Sequence, residues 1–229
     1  LKPNGFMLLT YQPATGMYAN VLRKIISFKL LKKKESIEKR TSILLKFFND
    51  ELKSLENMSR NKKDWIQDVI INPAIVGSYL TPETITKKLK NFSIFETYPK
   101  FTDDWSWYKD QTHNNKKKHY IFLENFYENY LNFLNFKDTK TYISSKEGLK
   151  LDKILFDLYH EIFKEENNNL HNYKHLKEFS VKLLDKYKTK IKKNKKLYLI
   201  TLEALNFLKQ QNNKKRYKLL KKTFGRELN

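Results

Sequence analysis

Cysteine is absent from the 229-residue sequence, and glycine and proline number five each. Without thiols the chain has no disulfide framework, no thiol nucleophile and no thiolate metal site. So few turn formers argue against a barrel or sandwich of many short strands, and helices should dominate. No apolar run approaches the roughly 20 residues a helix needs to cross a bilayer, so no transmembrane segment is expected. No basic stretch followed by an apolar block opens the chain, and the expectation is a cytoplasmic protein. Glycine-rich phosphate loops of the GxGxxG or GxxxxGK type are missing, as are GxSxG and HExxH, so the chain carries no cofactor or hydrolase fingerprint of its own. His171 and His175 are four apart and would share a helix face, but no third ligand stands at a suitable spacing, and no metal site is expected.

Positive charge, by contrast, is abundant. The formal charge is +21, from 46 basic and 25 acidic residues. Of the bases, 41 are Lys and five are Arg, and Asn is also frequent at 22. Lys and Asn rising together suit an A/T-rich coding bias, whereas readers of bases and phosphates tend to use the planar fork of Arg. The distribution is uneven. Residues 182–229 carry net +13, against +7 for residues 1–115 and +1 for residues 116–181. The basic end is therefore a candidate surface for an anionic partner, either nucleic acid or an acidic membrane face. A solvated helical face is the plainer alternative.

Hydrophobic periodicity divides the chain. Phe6-Met7-Leu8-Leu9-Thr10 is a short continuous apolar run after a Pro-Asn-Gly turn and predicts a buried strand. Helical spacing then predicts a helix over residues 17–31, a second, longer one through Ile37, Leu44, Phe48, Leu52 and Leu55, and a third around Trp65 that stops near Asn72-Pro73. Thr81-Pro82-Glu83 is a helix start: an N-cap, a proline at the first helical position and an acid at the positive helix end. Phe92 to Tyr98 predicts a second strand, ended by Pro99. After Lys118 only amphipathic helices are predicted, over 120–136, 149–164, 176–189 and 195–210, with Asn167-Asn168-Asn169 as a polar break.

If the two strands belong to a parallel sheet, ligands bind beyond the strands' carboxyl ends. Tyr11 and Gln12 follow the first. Residues 100–110 follow the second and crowd Asp103, Asp104, Asp110, Trp105, Trp107 and Tyr108 into eleven positions. A paired aspartate suits a general base toward a hydroxyl or amine, and exposed aromatics suit a sugar ring or base. The same residues also suit a structural corner, with the Trp rings plugging a junction and the aspartates capping a turn.

These segments resemble a known family. Leu1-Lys2-Pro3-Asn4-Gly5 with Phe6–Thr10 is similar to the Leu-Lys-Pro-Gly-Gly turn and fifth strand of class I S-adenosylmethionine-dependent methyltransferases. Residues 79–92 resemble the helix before their sixth strand, and Phe92–Tyr98 that strand. The resemblance covers roughly residues 1–110 and implies the C-terminal portion of a Rossmann-like α/β domain with two of its strands, interrupted by a helical insertion at about 17–76. Residues 111–229 would be a helical extension with a basic end. The glycine-rich loop that holds S-adenosylmethionine, and its acidic partner, would lie upstream of Leu1, so this chain alone is not expected to be active. Methyl transfer to an O or N acceptor, a small molecule or a glycan, is the implied reaction. Asp103 or Asp104 is the implied base, Tyr11 and Gln12 orient the acceptor, and Trp105, Trp107 and Tyr108 shape its pocket. The alternative from composition alone is a non-enzymatic, helix-rich basic protein that binds nucleic acid or an anionic membrane surface.

Overall fold

The computed structural model describes residues 5–53, 60–72, 81–102, 115–134 and 141–210. Among the described residues there are eight α-helices and no strand. They are α1 (Ala14–Leu30), α2 (Ile37–Leu52), α3 (Lys62–Ile66), α4 (Pro82–Lys88), α5 (Asn115–Glu128), α6 (Ser145–Asn168), α7 (Tyr173–Lys190) and α8 (Lys195–Lys209). A π-helical turn, Gln67–Ile71, prolongs α3, and a 3-10 turn, Tyr130–Leu134, follows α5.

Local chemistry sets most of the helix starts. Ser36, Asn61, Thr81, Ser144, Asn172 and Asn194 each accept a hydrogen bond from the amide three residues on. Such a cap contributes about 1 kcal/mol by satisfying one of the helix's orphan donors. Thr81 is followed by Pro82 in the first helical turn and Glu83, as its sequence predicts.

Helix α1 is buried almost all round, from Ala14 through Phe28, and packs against α6, α7, α8, the 3-10 turn and the π-helical turn. It is the centre of a single core cluster that draws residues from Ala14 to Leu208, with none from α4. The directions of its neighbours follow from named contacts. Tyr18 hydrogen-bonds Thr201, and eleven residues on Lys29 donates to the carbonyl of Phe207, so α1 and α8 run parallel. Phe28, at the end of α1, stacks on Tyr173, at the start of α7, with centroids 6.4 Å apart, so α1 and α7 run antiparallel. His175 reaches Glu165 across the α6–α7 turn, which makes that pair an antiparallel hairpin.

The Rossmann-like sheet expected from the sequence is not present among the described residues. Phe6–Thr10 and Phe92–Tyr98 are irregular, with no hydrogen-bonded ladder between them. Phe6 is 80% exposed, Leu8 91% and Phe95 79%, where buried strands would hide them. A short apolar run becomes a strand only when a neighbouring strand pairs with its backbone and covers its faces. Here α1 fills the centre that a sheet would have occupied. The segment assigned to an insertion thus supplies the middle of the fold.

Candidate functional site

Of the residues singled out by the sequence, Tyr11 and Gln12 are described. Tyr11 is half-buried with its ring 5.7 Å from that of Phe126, in an aromatic group that includes Phe101. Gln12 is exposed. No sheet lies beneath them among the described residues, so the strand-end position from which they were chosen is not seen. Asp103, Asp104, Trp105, Trp107 and Tyr108 lie outside the described residues.

The interior holds polar chemistry that periodicity does not reveal. Arg23 and Lys24 lie on α1, 1% and 2% exposed. Arg23 donates to Glu51 through Nε at 2.9 Å and Nη2 at 2.5 Å, and its guanidinium sits 5.6 Å from the Trp65 ring. Lys24 pairs with Glu166 at 3.1 Å and donates to the carbonyls of Ile70 and Asn72 at 3.0 and 2.7 Å. Its ammonium thereby caps the carbonyl end of the π-helical turn. Burial lowers the pKa of Lys24 below the usual lysine range, and Glu166 opposes that shift. Three acceptors around one ammonium are what keeps such a buried charge tolerable.

Tyrosines tie the same core together. Tyr130 donates to buried Asp152 and Tyr159 to the carbonyl of Ala14. Burial pushes the hydroxyls of Tyr18 and Tyr159 well above the ordinary tyrosine range, so both remain protonated donors. A cleft beside this network is lined by Ser27, Phe28, Ile70, Glu166, His171 and Tyr173 and has a volume of about 10 Å³. That is room for a single water molecule and excludes a substrate. Among the described residues no group of three His, Asp or Glu side chains could hold a metal ion. The buried charges Arg23, Glu51, Lys24 and Glu166 each face an opposite charge within the fold.

The surface differs. Between Asp185 and Glu203 the sequence has no acid, while Lys190, Lys192, Lys193, Lys195 and Lys196 are all exposed around the α7–α8 turn. The nearby acids are already engaged. Asp185 accepts from Lys188 at 2.5 Å and Lys209 at 2.7 Å, and these hydrogen bonds hold its carboxyl below the usual range. Burial raises the carboxyl of Glu161, but hydrogen bonds from Tyr187 and Lys186 outweigh it and lower its pKa on balance. The Lys190 ammonium lies 4.6 Å from the Tyr187 ring. Helix α8 opens with Asn194 as its cap and Lys195 and Lys196 in its first turn, with no acid there. Two cations at the positive end of a helix dipole cost stability, about 0.3–1 kcal/mol each. The result is a concentrated positive turn pointing at solvent.

A second surface feature is apolar. Phe6, Met7, Leu8 and Leu9 are exposed ahead of α1, and Phe92, Phe95 and Tyr98 are exposed after α4. The two segments touch edge to face through Phe6 and Phe95, centroids 5.6 Å apart. The lysine run was legible from charge counting. The apolar patch was read as strands because the same residue types serve both. No helix among the described residues is long and apolar enough to cross a membrane. In comparisons with known proteins, no family model, no curated protein and no solved structure matches the chain.

Proposed function

We propose that this chain is a non-enzymatic, helix-rich binding module whose partner is a phosphate-bearing polyanion or anionic surface. One observation carries the reading: five exposed lysines packed into residues 190–196 with no acid from 186 to 202. Lys195 and Lys196 stand where the α8 dipole disfavours them. A bound anion would offset both that cost and the repulsion among the lysines. The two segments from which a methyltransferase acceptor site was counted, Phe6–Thr10 and Phe92–Tyr98, are irregular, so the position that argued for that site is not seen among the described residues.

The test is binding of duplex DNA and of phosphatidylserine vesicles across a salt series, with wild type and the quadruple variant Lys192→Gln, Lys193→Gln, Lys195→Gln, Lys196→Gln. Wild type should bind at low salt, with log affinity falling linearly in log salt. The variant should bind more weakly, with the DNA slope reduced by up to about 0.9 for each phosphate-contacting lysine removed. Its melting temperature should not fall, because the α8 start loses two unfavourable charges. Failure of the wild type to bind either probe at low salt removes the reading, and so does an unchanged slope.

A further inference from the structure

The apolar patch and the lysine turn lie at the same end of the bundle. Tyr18 of α1 meets Thr201 of α8, and the two helices run parallel. Helix α1 begins at Ala14, four residues before that contact, and α8 begins at Lys195, six residues before it. At 1.5 Å per residue the two starts stand about 6 Å and about 9 Å beyond the contact, on the same side. Phe6–Pro13 leads into α1 at that end. Thr15 donates to the carbonyl of Tyr130 at 3.0 Å, which brings the 3-10 turn there as well. Tyr11 and Phe101 both pack on Phe126, and Phe6 meets Phe95, so residues 92–101 belong to the same end. Lys87, Lys88, Lys90 and Lys100 flank the second segment in sequence and are exposed.

Phe6, Leu8, Phe95 and Tyr98 present 79–101% of their surface to solvent. Clustered apolar exposure of this kind marks an interaction site. The chemistry around it selects the occupant. A second copy would bring two surfaces of the same sign together on a chain of net charge +21. Nucleic acid would reward the lysines and stack on the rings, but it offers nothing to Met7, Leu8 and Leu9. An anionic bilayer rewards both: acyl chains at interfacial depth take aliphatic and aromatic groups, and the anionic headgroups take lysines.

We propose that this end of the molecule docks on an anionic lipid bilayer, with Phe6, Leu8, Phe95 and Tyr98 entering the interface and the lysines of the α7–α8 turn and residues 87–100 against the headgroups. The proposal rests on the anionic-partner reading above and assigns its partner. Membrane attachment here needs no spanning helix.

The absence of native cysteine makes the test direct. Leu8→Cys and Asn168→Cys each receive a polarity-sensitive fluorophore. Residue 168 is exposed at the end of α6, the opposite end of the bundle. With phosphatidylserine-containing vesicles the probe at 8 should shift to the blue and the probe at 168 should not. With vesicles of phosphatidylcholine alone neither should shift. In a parallel co-sedimentation, the double variant Leu8→Ser, Phe95→Ser should lose at least about tenfold in vesicle affinity per residue changed, while its binding to duplex DNA is unchanged. Both positions are exposed, so folding is not at stake. Vesicle binding unaffected by the double variant, or no shift at position 8, overturns the proposal. A wild type that binds DNA but not vesicles overturns it too and leaves the polyanion reading standing. A wild type that binds neither sinks both.

Discussion

His171 turns the chain between α6 and α7 with φ at 65°, in the left-handed region that few side chains other than Asn, Asp and His enter without glycine's freedom. Its Nδ1 lies 3.1 Å from Nη1 of Arg40, which can only donate, so Nδ1 accepts and the ring is neutral. Burial lowers its pKa below the ordinary histidine value, and the positive charges of Arg40 and Lys33 lower it further. The unfolded chain therefore takes up this proton at a higher pH than the folded one. Where the unfolded state binds more protons, stability rises with pH. The contribution is complete above pH 6.5 and is lost as the pH falls below it toward the depressed folded value. Glu161 and Asp185, also depressed, act in the same direction but only in the more acidic range where carboxylates titrate. His171→Asn keeps a residue that tolerates positive φ and removes the titration. We expect its melting temperature to change less than wild type between pH 7 and pH 5, a range about the histidine pKa. Superimposable profiles for the two proteins would show that another group titrates there.

At the scale of helices, α5 and α6 approach each other closely at Gly148. A Cβ on Gly148 would stand 2.3 Å from the carbonyl oxygen of Tyr127 and 3.0 Å from its Cβ. Backbone cannot move aside as a flexible side chain can. Alanine would gain up to about 1 kcal/mol of helix propensity, but overpacking of this kind costs about 1–3 kcal/mol. Gly148→Ala should therefore lower the urea midpoint, for a net loss of stability of up to about 2 kcal/mol. A raised midpoint would mean that the two helices separate without cost. Most elements were legible in the same terms of spacing and caps. The stripes through Leu151, Leu155, Leu158 and Ile162, and through Leu197, Thr201, Ala204, Leu205 and Leu208, are buried faces of α6 and α8. The Thr81-Pro82 start stands where its chemistry puts it. The polar break at 167–169 was placed early, since α6 runs on to Asn168. The strand readings failed for a different reason. A helix satisfies its own backbone and shows its period locally, whereas a strand exists only if a partner elsewhere completes it. Phe6–Thr10 and Phe92–Tyr98 have strand-like composition and no such partner among the described residues. Arg23, Lys24 and Glu51 could not be recognised as buried by residue type, because charged residues are buried only when a distant partner is present. Nothing local joins Lys24 to Glu166.

For the molecule as a whole, charge is the quantity that sets behaviour in solution. The lysine excess of the basic end was visible in the sequence, and the folded chain adds that its turn sits beside an exposed apolar patch. A net charge of +21 on 229 residues repels itself whether or not a partner is present. A compact domain of this length has a radius of gyration of about 17 Å. The Debye length is about 30 Å at 0.01 M salt and about 10 Å at 0.1 M. At the lower salt every lysine feels most of the others, and at the higher it feels only its neighbours. Opposing this are exposed ion pairs that salt also weakens, such as Arg60–Asp68, Lys186–Glu161 and Lys209–Asp185. Exposed pairs of this type contribute at most about 1 kcal/mol each, and the buried pairs Arg23–Glu51 and Lys24–Glu166 are shielded from screening. Repulsion among unbalanced lysines therefore dominates the salt dependence. The melting temperature should rise as sodium chloride increases from 0.01 to 0.1 M, a span chosen about the Debye crossover. Sulfate at equal ionic strength should raise it further, because a divalent anion bound at the lysine turn stabilises the folded chain by mass action. The quadruple lysine variant should lose most of the sulfate increment and retain part of the chloride one, since the remaining basic residues still repel. A melting temperature that falls with salt would place the exposed ion pairs above the net charge in importance. A sulfate increment unchanged in the quadruple variant would place the anion's effect elsewhere than the α7–α8 turn.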